Sequence, residues 1–308
     1  MNHNPQGTNA REILILFSGQ AIAATAVILI KVNQFHPFAL AAYRLLFAVV
    51  VLSPLYLRDL RRLGLRLNWQ LVRPSILPGA FLAVHFMSWN IGARNTVAAN
   101  ASLIVNMLPV FLPIVLLALT REKPRWYELV ATAIALSGLL VLGIPSFQGS
   151  RATLLGDVVS FASMLFLACY LAFGRRNRQS PSLWLYVTPV YLVAGLLALI
   201  TTVVAGVRIG TDFSTTNVLT LAGIVLGPTV LGHSAVNFGM RRLPSQLVAL
   251  SQVTQPVWAG TLAYLLLDEV PHPFIAIAAV AIIAGIVITI RGHARDRRAA
   301  NQTAHDDT

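Results

Sequence analysis

The sequence predicts an all-α membrane protein: ten transmembrane helices arranged as two inverted five-helix repeats, with both termini in the cytoplasm. Of its 308 residues, 56% are hydrophobic and 11% are charged, and the mean hydropathy is +0.70. A soluble domain carries about 25% charged residues, so this composition excludes an ordinary soluble protein. Three further observations support the predicted fold: apolar runs of membrane-crossing length, an asymmetric distribution of basic residues, and an internal repeat.

Ten apolar runs of about 17 to 23 residues follow one another, which is the length that a helix needs to cross about 30 Å of hydrocarbon. We predict spans at 13–32, 37–57, 74–93, 98–119, 126–144, 155–173, 183–205, 218–240, 246–267 and 274–290. A backbone within lipid has to satisfy its own hydrogen bonds, and the runs lack the alternation of β-strands, so each is predicted to be helical. The polar segments 1–10 and 292–308 are predicted to be mobile cytoplasmic tails. A cleaved signal peptide at the first run is the alternative, which its length of about 20 residues disfavours.

Basic residues accumulate on one side of the predicted membrane. If the N-terminus is cytoplasmic, 18 of the 23 basic residues fall inside and four fall outside, namely Lys31, Arg94, Arg151 and Arg208. This split follows the positive-inside rule for ten spans with both termini inside. Because the charge is spread over every cytoplasmic loop, it indicates topology and does not indicate a nucleic-acid partner.

A shift of 147 residues aligns the second half of the chain with the first. It holds without a gap through three consecutive spans and pairs Asn90 with Asn237, Arg94 with Arg241, Pro109 with Pro256, Glu122 with Glu269 and Gly138 with Gly285. We therefore predict a duplicated unit, at 11–145 and 153–291. Because each unit has an odd number of spans, the second enters the membrane in the opposite direction. Many secondary transporters use this plan to expose a midplane site to each side in turn.

Several segments resemble the drug/metabolite transporter superfamily, in its ten-span EamA-type branch. They are Lys31, PFALAAYR at 37–44, NMLPVFLPI at 106–114, REKP at 121–124, GD at 156–157, GHSAVNFGMRRLP at 232–244 and LLLDEVP at 265–271. The resemblance covers residues 11–291 and implies a ten-helix carrier, without specifying the substrate. The chain departs from the family at Ala23, Ala24 and Thr25, where a Trp-Gly-Ser run is common, and its seventh span lacks equivalents of Pro37 and Arg44.

Polar side chains at mid-depth predict the lining of a central pocket, because such residues usually face the helix bundle or a wet cavity. Imidazole and amide groups recur four residues apart on one face of the third and eighth spans, and amides recur in the fourth and ninth. The predicted substrate-binding residues are His85, Trp89, Asn90, Asn106, His233, Asn237, Gln252 and Gln255. The alternative for each polar member is a hydrogen bond between helices.

A second group of residues is predicted to be structural or gating. Pro109, Pro113 and Pro256 each remove a backbone donor and are expected to kink their helices near the midplane, either to gate or to shape packing. Arg44 lies within hydrocarbon and needs a partner, for which a structural role is favoured over a substrate carboxylate. A GxxxG pair at Gly223 and Gly227 predicts close helix packing.

No catalytic, metal or cofactor site is predicted. Cys169 is the single cysteine, the histidines lack metal-ligand spacing, and no nucleotide-binding motif is present. No Asp or Glu falls deep in a span, whereas proton-driven carriers usually relay protons through an intramembrane carboxylate. A facilitator, a weakly coupled exporter and a proton antiporter that uses His85 or His233 are therefore all left open.

We predict a secondary carrier of the bacterial inner membrane that exports a small metabolite, such as an amino acid or an amphipathic compound, by alternating access. Its predicted partners are this solute and the lipid bilayer, and a homodimer is left open. A lipid-linked flippase, an intramembrane enzyme and a non-transporting scaffold are the alternatives.

Overall fold

The computed structural model describes residues 9–96, 98–143, 151–211, 213–259, 261 and 273–306. In these ranges every regular secondary-structure element is a helix, and there is no β-strand. Within them, nine helices are long and apolar enough to cross a membrane: Ala10–Val32, Pro37–Arg62, Trp69–Asn95, Asn100–Thr120, Trp126–Gly143, Leu154–Arg176, Leu183–Val204, Thr215–Arg242 and Phe274–Thr303. The predicted ninth span is helical at its start, and 262–267 lies outside the described residues. The prediction of an all-helical membrane protein is confirmed.

The helices are numbered here in chain order. They are α1 Ala10–Ala23, α2 Ala26–Val32, α3 Pro37–Arg62, α4 Trp69–Val72, α5 Ile76–Asn95, α6 Ala98–Val105, α7 Leu108–Thr120, α8 Trp126–Gly143, α9 Arg151–Arg176, α10 Leu183–Val204, α11 Thr215–Ile224, α12 Ser234–Arg242, α13 Ser245–Gln252 and α14 Phe274–Asp306. A π-helical stretch at Val225–His233, here called the π segment, joins α11 to α12.

The C-terminal end differs from the predicted mobile tail, because α14 continues through the polar sequence as far as Asp306. Its first polar turns are bonded to α8: the Tyr127 hydroxyl donates to Asp296 at 2.9 Å, and His293 Nε2 lies 2.8 Å from Glu128 Oε1. These contacts hold the helix in register beyond Ile290, where the hydropathy falls. Hydropathy marks the end of an apolar run and not the end of a helix.

The packing of the helices repeats the duplication. The most extensive contacts join the third span to the sixth (α5 with α9), the second to the seventh (α3 with α10) and the fifth to the tenth (α8 with α14). Under the repeat, the third–sixth pair corresponds to the eighth–first pair, and α1 does pack along the π segment and α12. The other two pairs map onto themselves. The two halves therefore meet through equivalent surfaces, as a pseudo-twofold axis requires.

The repeat-equivalent arginines Arg94 and Arg241 hold equivalent loops. Each donates to two loop carbonyl oxygens at 2.6–3.3 Å: Arg94 to Phe35 and Asn33, and Arg241 to Ser180 and Ser182. The shift of 147 residues carries the first pair of carbonyls onto the second. Besides their contribution to charge distribution, both arginines thus fix the connection between two helices of their own half.

Candidate functional site

Three of the predicted spans are interrupted in mid-course. The fourth breaks between Val105 and Leu108, the ninth breaks between Gln252 and residue 255, and the first breaks between Ala23 and Ala26. The turns at 106–107 and 253–254 are separated by the same shift of 147 residues as the sequence repeat. The fourth and ninth spans are therefore broken at equivalent places, one in each half.

The prolines explain where the fourth and ninth spans resume. Pro109 and Pro256 each lie one residue after the helix restarts, where a missing amide proton costs no helical hydrogen bond and the fixed φ suits the first turn. At each of these two predicted kinks the α-helical pattern lapses for two residues, 106–107 and 253–254, and then resumes. Pro113, in contrast, lies inside α7, and the structure has no break there.

The three interruptions surround one small cavity. Its volume is about 20 Å³, and it is lined by Ala23, Ala24, Ala26, Val27, Trp89, Ser102, Val105, Asn106, Gln255 and Ala259. A cavity of this size holds about one water molecule. Three of the predicted binding residues, Trp89, Asn106 and Gln255, line it. In this conformation the cavity therefore has no room for a solute larger than about one water molecule.

A chain of amide groups connects the first span to the ninth beside the cavity. Gln255 donates through Nε2 to Gln20 at 2.8 Å and to Gln252 at 3.0 Å, and Gln20 donates in turn to the Ser251 hydroxyl at 3.0 Å. Gln20 is fully buried, and the sequence analysis did not single it out. The signal available was a lone amide within an apolar run, which in hydrocarbon requires a partner.

Asn106 presents an unsatisfied acceptor next to the cavity. Its Nδ2 donates to the Ser102 carbonyl oxygen at 2.7 Å, whereas its buried Oδ1 has no partner among the described residues. A buried polar atom without a hydrogen bond loses its hydration without compensation. The fourth span thus contributes to the cavity lining a residue with an unsatisfied acceptor.

His85 and Asn90 do not line the cavity. His85 Nδ1 lies 2.9 Å from both the carbonyl oxygen and the hydroxyl of Ser163, which joins α5 to α9. The Asn90 amide donates to the Pro37 carbonyl oxygen at 2.9 Å. Both side chains therefore form the bonds between helices that the sequence analysis gave as the alternative to substrate binding.

His233 and Asn237 belong to a buried cluster on the same side of the bundle as His85. The rings of His85 and His233 are 6.2 Å apart, and Phe86 packs edge-on against His233 at 4.8 Å. Asn237 donates to the Tyr170 hydroxyl and, at 2.7 Å, to the His233 carbonyl oxygen. His233 Nδ1 and Asn237 Oδ1 have no partner among the described residues.

Arg44 is buried and contacts the π segment of the eighth span. Its Nε donates to the Thr229 hydroxyl at 3.0 Å, and its guanidinium carbon lies 3.9 Å from the centroid of Phe86. The Thr229 carbonyl oxygen accepts from Tyr191 at 3.1 Å, and Pro228, inside the π segment, lacks an amide proton. Among the described residues Arg44 forms no ion pair. The sequence analysis did not single out Pro228, whose missing amide proton could have indicated an irregular helix at this place.

The eighth span packs closely on the first, but through different glycines from those predicted. A Cβ added at Gly223 or Gly227 would meet side-chain atoms of Leu29 or Ile22 at 3.3 and 3.4 Å. The tighter approach is at Gly19 and Gly232, whose backbones face one another. Gly223 and Gly227 therefore also face the first span, but at a place where the two helices are farther apart than at Gly19 and Gly232.

A network around Glu122 and Arg175 links the two halves at the end of the bundle that is predicted to be cytoplasmic. Arg175, at the end of α9, donates to Glu122 at 2.9 Å and to the carbonyl oxygens of Met240 and Leu243 at 3.0 Å. Ser245 also donates to Glu122, at 3.0 Å. The network joins the loop after the fourth span to the sixth span and to the loop before the ninth.

The described residues contain no group of three His, Cys, Asp or Glu side chains that would hold a metal ion. The chemical groups that line the central cavity are amides, a hydroxyl, one indole and apolar side chains.

Comparison with known proteins identifies the family. A model of the EamA-like transporter family matches residues 10–144 and 154–291. An uncharacterized transporter of Archaeoglobus fulgidus is 23% identical over 289 residues, covering 91% of this chain and 98% of its own. A second uncharacterized transporter of that organism is 26% identical over 169 residues, 53% of this chain and 55% of its own. A crystal structure superposes with a TM-score of 0.74 at 19% identity, covering 92% of this chain and 97% of its own, which supports the fold alone. The chain, with both of its halves matched, belongs to the EamA-like transporter family and is a multi-pass membrane protein.

Proposed function

We propose that this transporter is a secondary carrier that exports a small metabolite, such as an amino acid or an amphipathic compound, by alternating access. The observation that carries the proposal is the convergence of three interrupted spans on one small cavity that holds three polar side chains in an otherwise apolar lining, with the interruptions of the fourth and ninth spans at repeat-equivalent positions. Discontinuous helices are tolerated within a membrane where they line a cavity, and in transporters they form the binding site at the interface of the repeats.

The chemistry of the cavity suits a small solute with polar and apolar parts. Trp89 and Val105 offer apolar surface, Asn106 offers an unsatisfied carbonyl oxygen, and Gln255 offers an amide. The helix dipole favours negative charge at an N-terminus, and α7 begins two residues after Asn106. A metabolite with a donor group and an apolar part would find an acceptor and an apolar wall within one site, whereas the amide protons of Gln255 are released to a solute only if its bonds to Gln20 and Gln252 open.

In this conformation the cavity is too small for a metabolite, since binding pockets for small molecules usually enclose about 300–1,000 Å³. The cavity lies beside the later part of the first span and the earlier part of the fourth, toward the face predicted to be external. The Glu122 network closes the opposite face. Transport then requires that the broken segments move apart on one face while the other stays closed, with the turns at 106–107 and 253–254 as hinges.

The orientation completes the proposal. With both termini in the cytoplasm, basic residues concentrate on the cytoplasmic face as the positive-inside rule requires, and the carrier resides in the bacterial inner membrane. The solute and the bilayer are its partners in this scheme.

Solute exchange in proteoliposomes tests the function. Protein reconstituted with a panel of labelled amino acids and amphiphiles should exchange at least one of them, and Asn106→Ala and Gln255→Ala should lower the exchange about tenfold or more. Asn95→Ala is the matched control, because Asn95 is an exposed amide outside the cavity. Equal losses in all three variants, or exchange of fluorescent lipids without exchange of any solute, would contradict the proposal and, in the second case, favour a flippase.

A further inference from the structure

A groove between the third and sixth spans lies apart from the central cavity. It encloses about 440 Å³ and is bounded on one side by α4 and the turn that follows it, and on the other by the end of α9. The lining includes Trp69, Arg73, Leu77, Phe173, Arg176 and Asn177. We call it the interfacial groove, because it lies where the third span enters the apolar layer and the sixth leaves it.

The interfacial groove carries two positive charges that no acid of the described residues neutralises. Two other arginines at this end of the bundle are paired, Arg58 with Asp59 at 2.9 Å and Arg175 with Glu122 at 2.9 Å, whereas Arg61 and Arg66, outside the groove, form no ion pair with the described residues. Within the described ranges, neither Arg73 nor Arg176 forms an ion pair. Their guanidinium groups are therefore available to an anion, and guanidinium binds phosphate oxygens well.

The same groove offers apolar and aromatic surface. The Trp69 side chain is 65% exposed and Leu77 is 57% exposed, and Phe173 forms part of the wall by stacking on Phe81 at 5.6 Å. An exposed tryptophan beside basic residues is typical of the membrane–water interface. An occupant that matches this surface carries a negative group next to a hydrocarbon chain, which is the chemistry of an anionic phospholipid.

The two arginines of the groove have no charged counterparts under the sequence repeat. The shift of 147 residues carries Arg73 onto Thr220 and Arg176 onto Leu29, so the equivalent position at the opposite face has no charge. The duplication accounts for the helices on both sides of the groove but does not account for its arginines. These charges occur only on the face predicted to be cytoplasmic, where the leaflet potential is negative.

We propose that the interfacial groove binds an anionic phospholipid, with its phosphate between Arg73 and Arg176 and the first part of its acyl chains against Leu77 and Phe173. Asn177 already joins the two walls through a hydrogen bond to the Pro74 carbonyl oxygen at 3.3 Å. The lipid would bridge the third span of one half and the sixth span of the other. Bound there, it stabilises this contact between the halves.

Lipid binding to the purified full-length protein tests the proposal. Native mass spectrometry with phosphatidylglycerol and phosphatidylcholine should show a preference for phosphatidylglycerol in the wild type. The double variant Arg73→Gln/Arg176→Gln should bind phosphatidylglycerol roughly thirtyfold more weakly, because each basic residue near a membrane surface contributes about fivefold. Glycerol phosphate, which has the headgroup without the chains, should not compete.

The matched control is Arg61→Gln/Arg66→Gln, which removes the same charge from exposed positions outside the groove. It should retain the wild-type preference. In addition, brominated phosphatidylglycerol should quench Trp69, measured as the difference between the wild type and Trp69→Phe. Equal weakening in both double variants, or no quenching of Trp69, would overturn the proposal, since binding would then reflect net charge alone.

Discussion

Replacement of Gly285 by alanine probes the contact between the fifth and tenth spans, which joins the two halves near the pseudo-twofold axis. A Cβ at this position would lie 2.6 Å from the Ala131 carbonyl oxygen, where an ordinary contact begins at 3.4 Å. The helices α8 and α14 therefore have to separate by about 0.8 Å, and the obstacle is backbone, which cannot rotate away. Overpacking of this kind costs about 1–3 kcal/mol.

A second variant separates this packing cost from the effect of alanine on helix propensity. Alanine is favoured over glycine in a helix by about 1 kcal/mol. Gly223→Ala gains this same free energy of helix propensity. Its new Cβ would meet only the end of the Leu29 side chain, at 3.3 Å. The free energy of unfolding of Gly285→Ala should thus be lower than that of Gly223→Ala by about 1–3 kcal/mol.

Reversible unfolding in mixed micelles of mild detergent and dodecyl sulfate measures this difference. The repeat mate Gly138 provides a further check, because its added Cβ would lie 2.6 Å from the Ala281 Cβ, on the same pair of helices. Once one alanine has separated the helices, the second should cost less, so Gly138→Ala/Gly285→Ala should lose less stability than the two single losses added. Equal stability of Gly285→Ala and Gly223→Ala would refute the close contact.

Three further predictions follow from single side chains. Arg94→Gln should lower the free energy of unfolding by about 2 kcal/mol or more, because the loop carbonyl oxygens of Asn33 and Phe35 lose a charged donor, as unfolding in mixed micelles would show. His36 caps α3, because its Nδ1 accepts a hydrogen bond from the Phe38 amide. The pKa of His36 is lowered, mainly by burial and to a smaller extent by the positive charge of Arg94. Its contribution to stability is thus present above pH 6.5 and lost as the pH falls through the lowered pKa. His36→Ala, which removes the cap, should lower the melting temperature most above pH 6.5, and the melting temperatures of wild type and variant should converge in acid. Asp157→Asn should leave solute exchange largely intact, because Asp157 lies near the end of its span, outside the cavity, where it accepts a hydrogen bond from Thr96 at 2.6 Å; abolished exchange by a folded variant would contradict this.

The sequence repeat predicted the features that depend on position along the chain. The 147-residue shift related Pro109 to Pro256 and Arg94 to Arg241, and the structure places a helix break beside each proline and a loop clamp at each arginine. These features follow from backbone chemistry, namely a missing amide proton and a long donor near loop carbonyls. They therefore appear wherever the repeat places the same residue type.

Other features depend on direction around the helix axis, which hydropathy does not give. His85 and Gln255 are both polar and both near mid-depth, yet His85 bonds to Ser163 on the sixth span and Gln255 lines the cavity. Gln20 was overlooked because its neighbours are apolar. The continuation of α14 past Ile290 depends on contacts with α8 that no local pattern contains.

The central claim is that the two halves open on opposite faces in turn, and paired spin labels measure this directly. After Cys169, the sole cysteine, is replaced by serine, one label pair at Lys123 and Arg242 reports on the face closed by Glu122. A second pair, at Asn95 and Arg208, reports on the other face. All four positions are exposed.

Glu122→Gln weakens the network that holds the first face closed, since the charge-assisted bonds from Arg175 are stronger than neutral ones. In this variant, double electron–electron resonance should show the distance between Lys123 and Arg242 labels increasing while the distance between Asn95 and Arg208 labels decreases. If both distances increase together, or if neither changes in a folded variant that still exchanges solute, the two halves do not alternate.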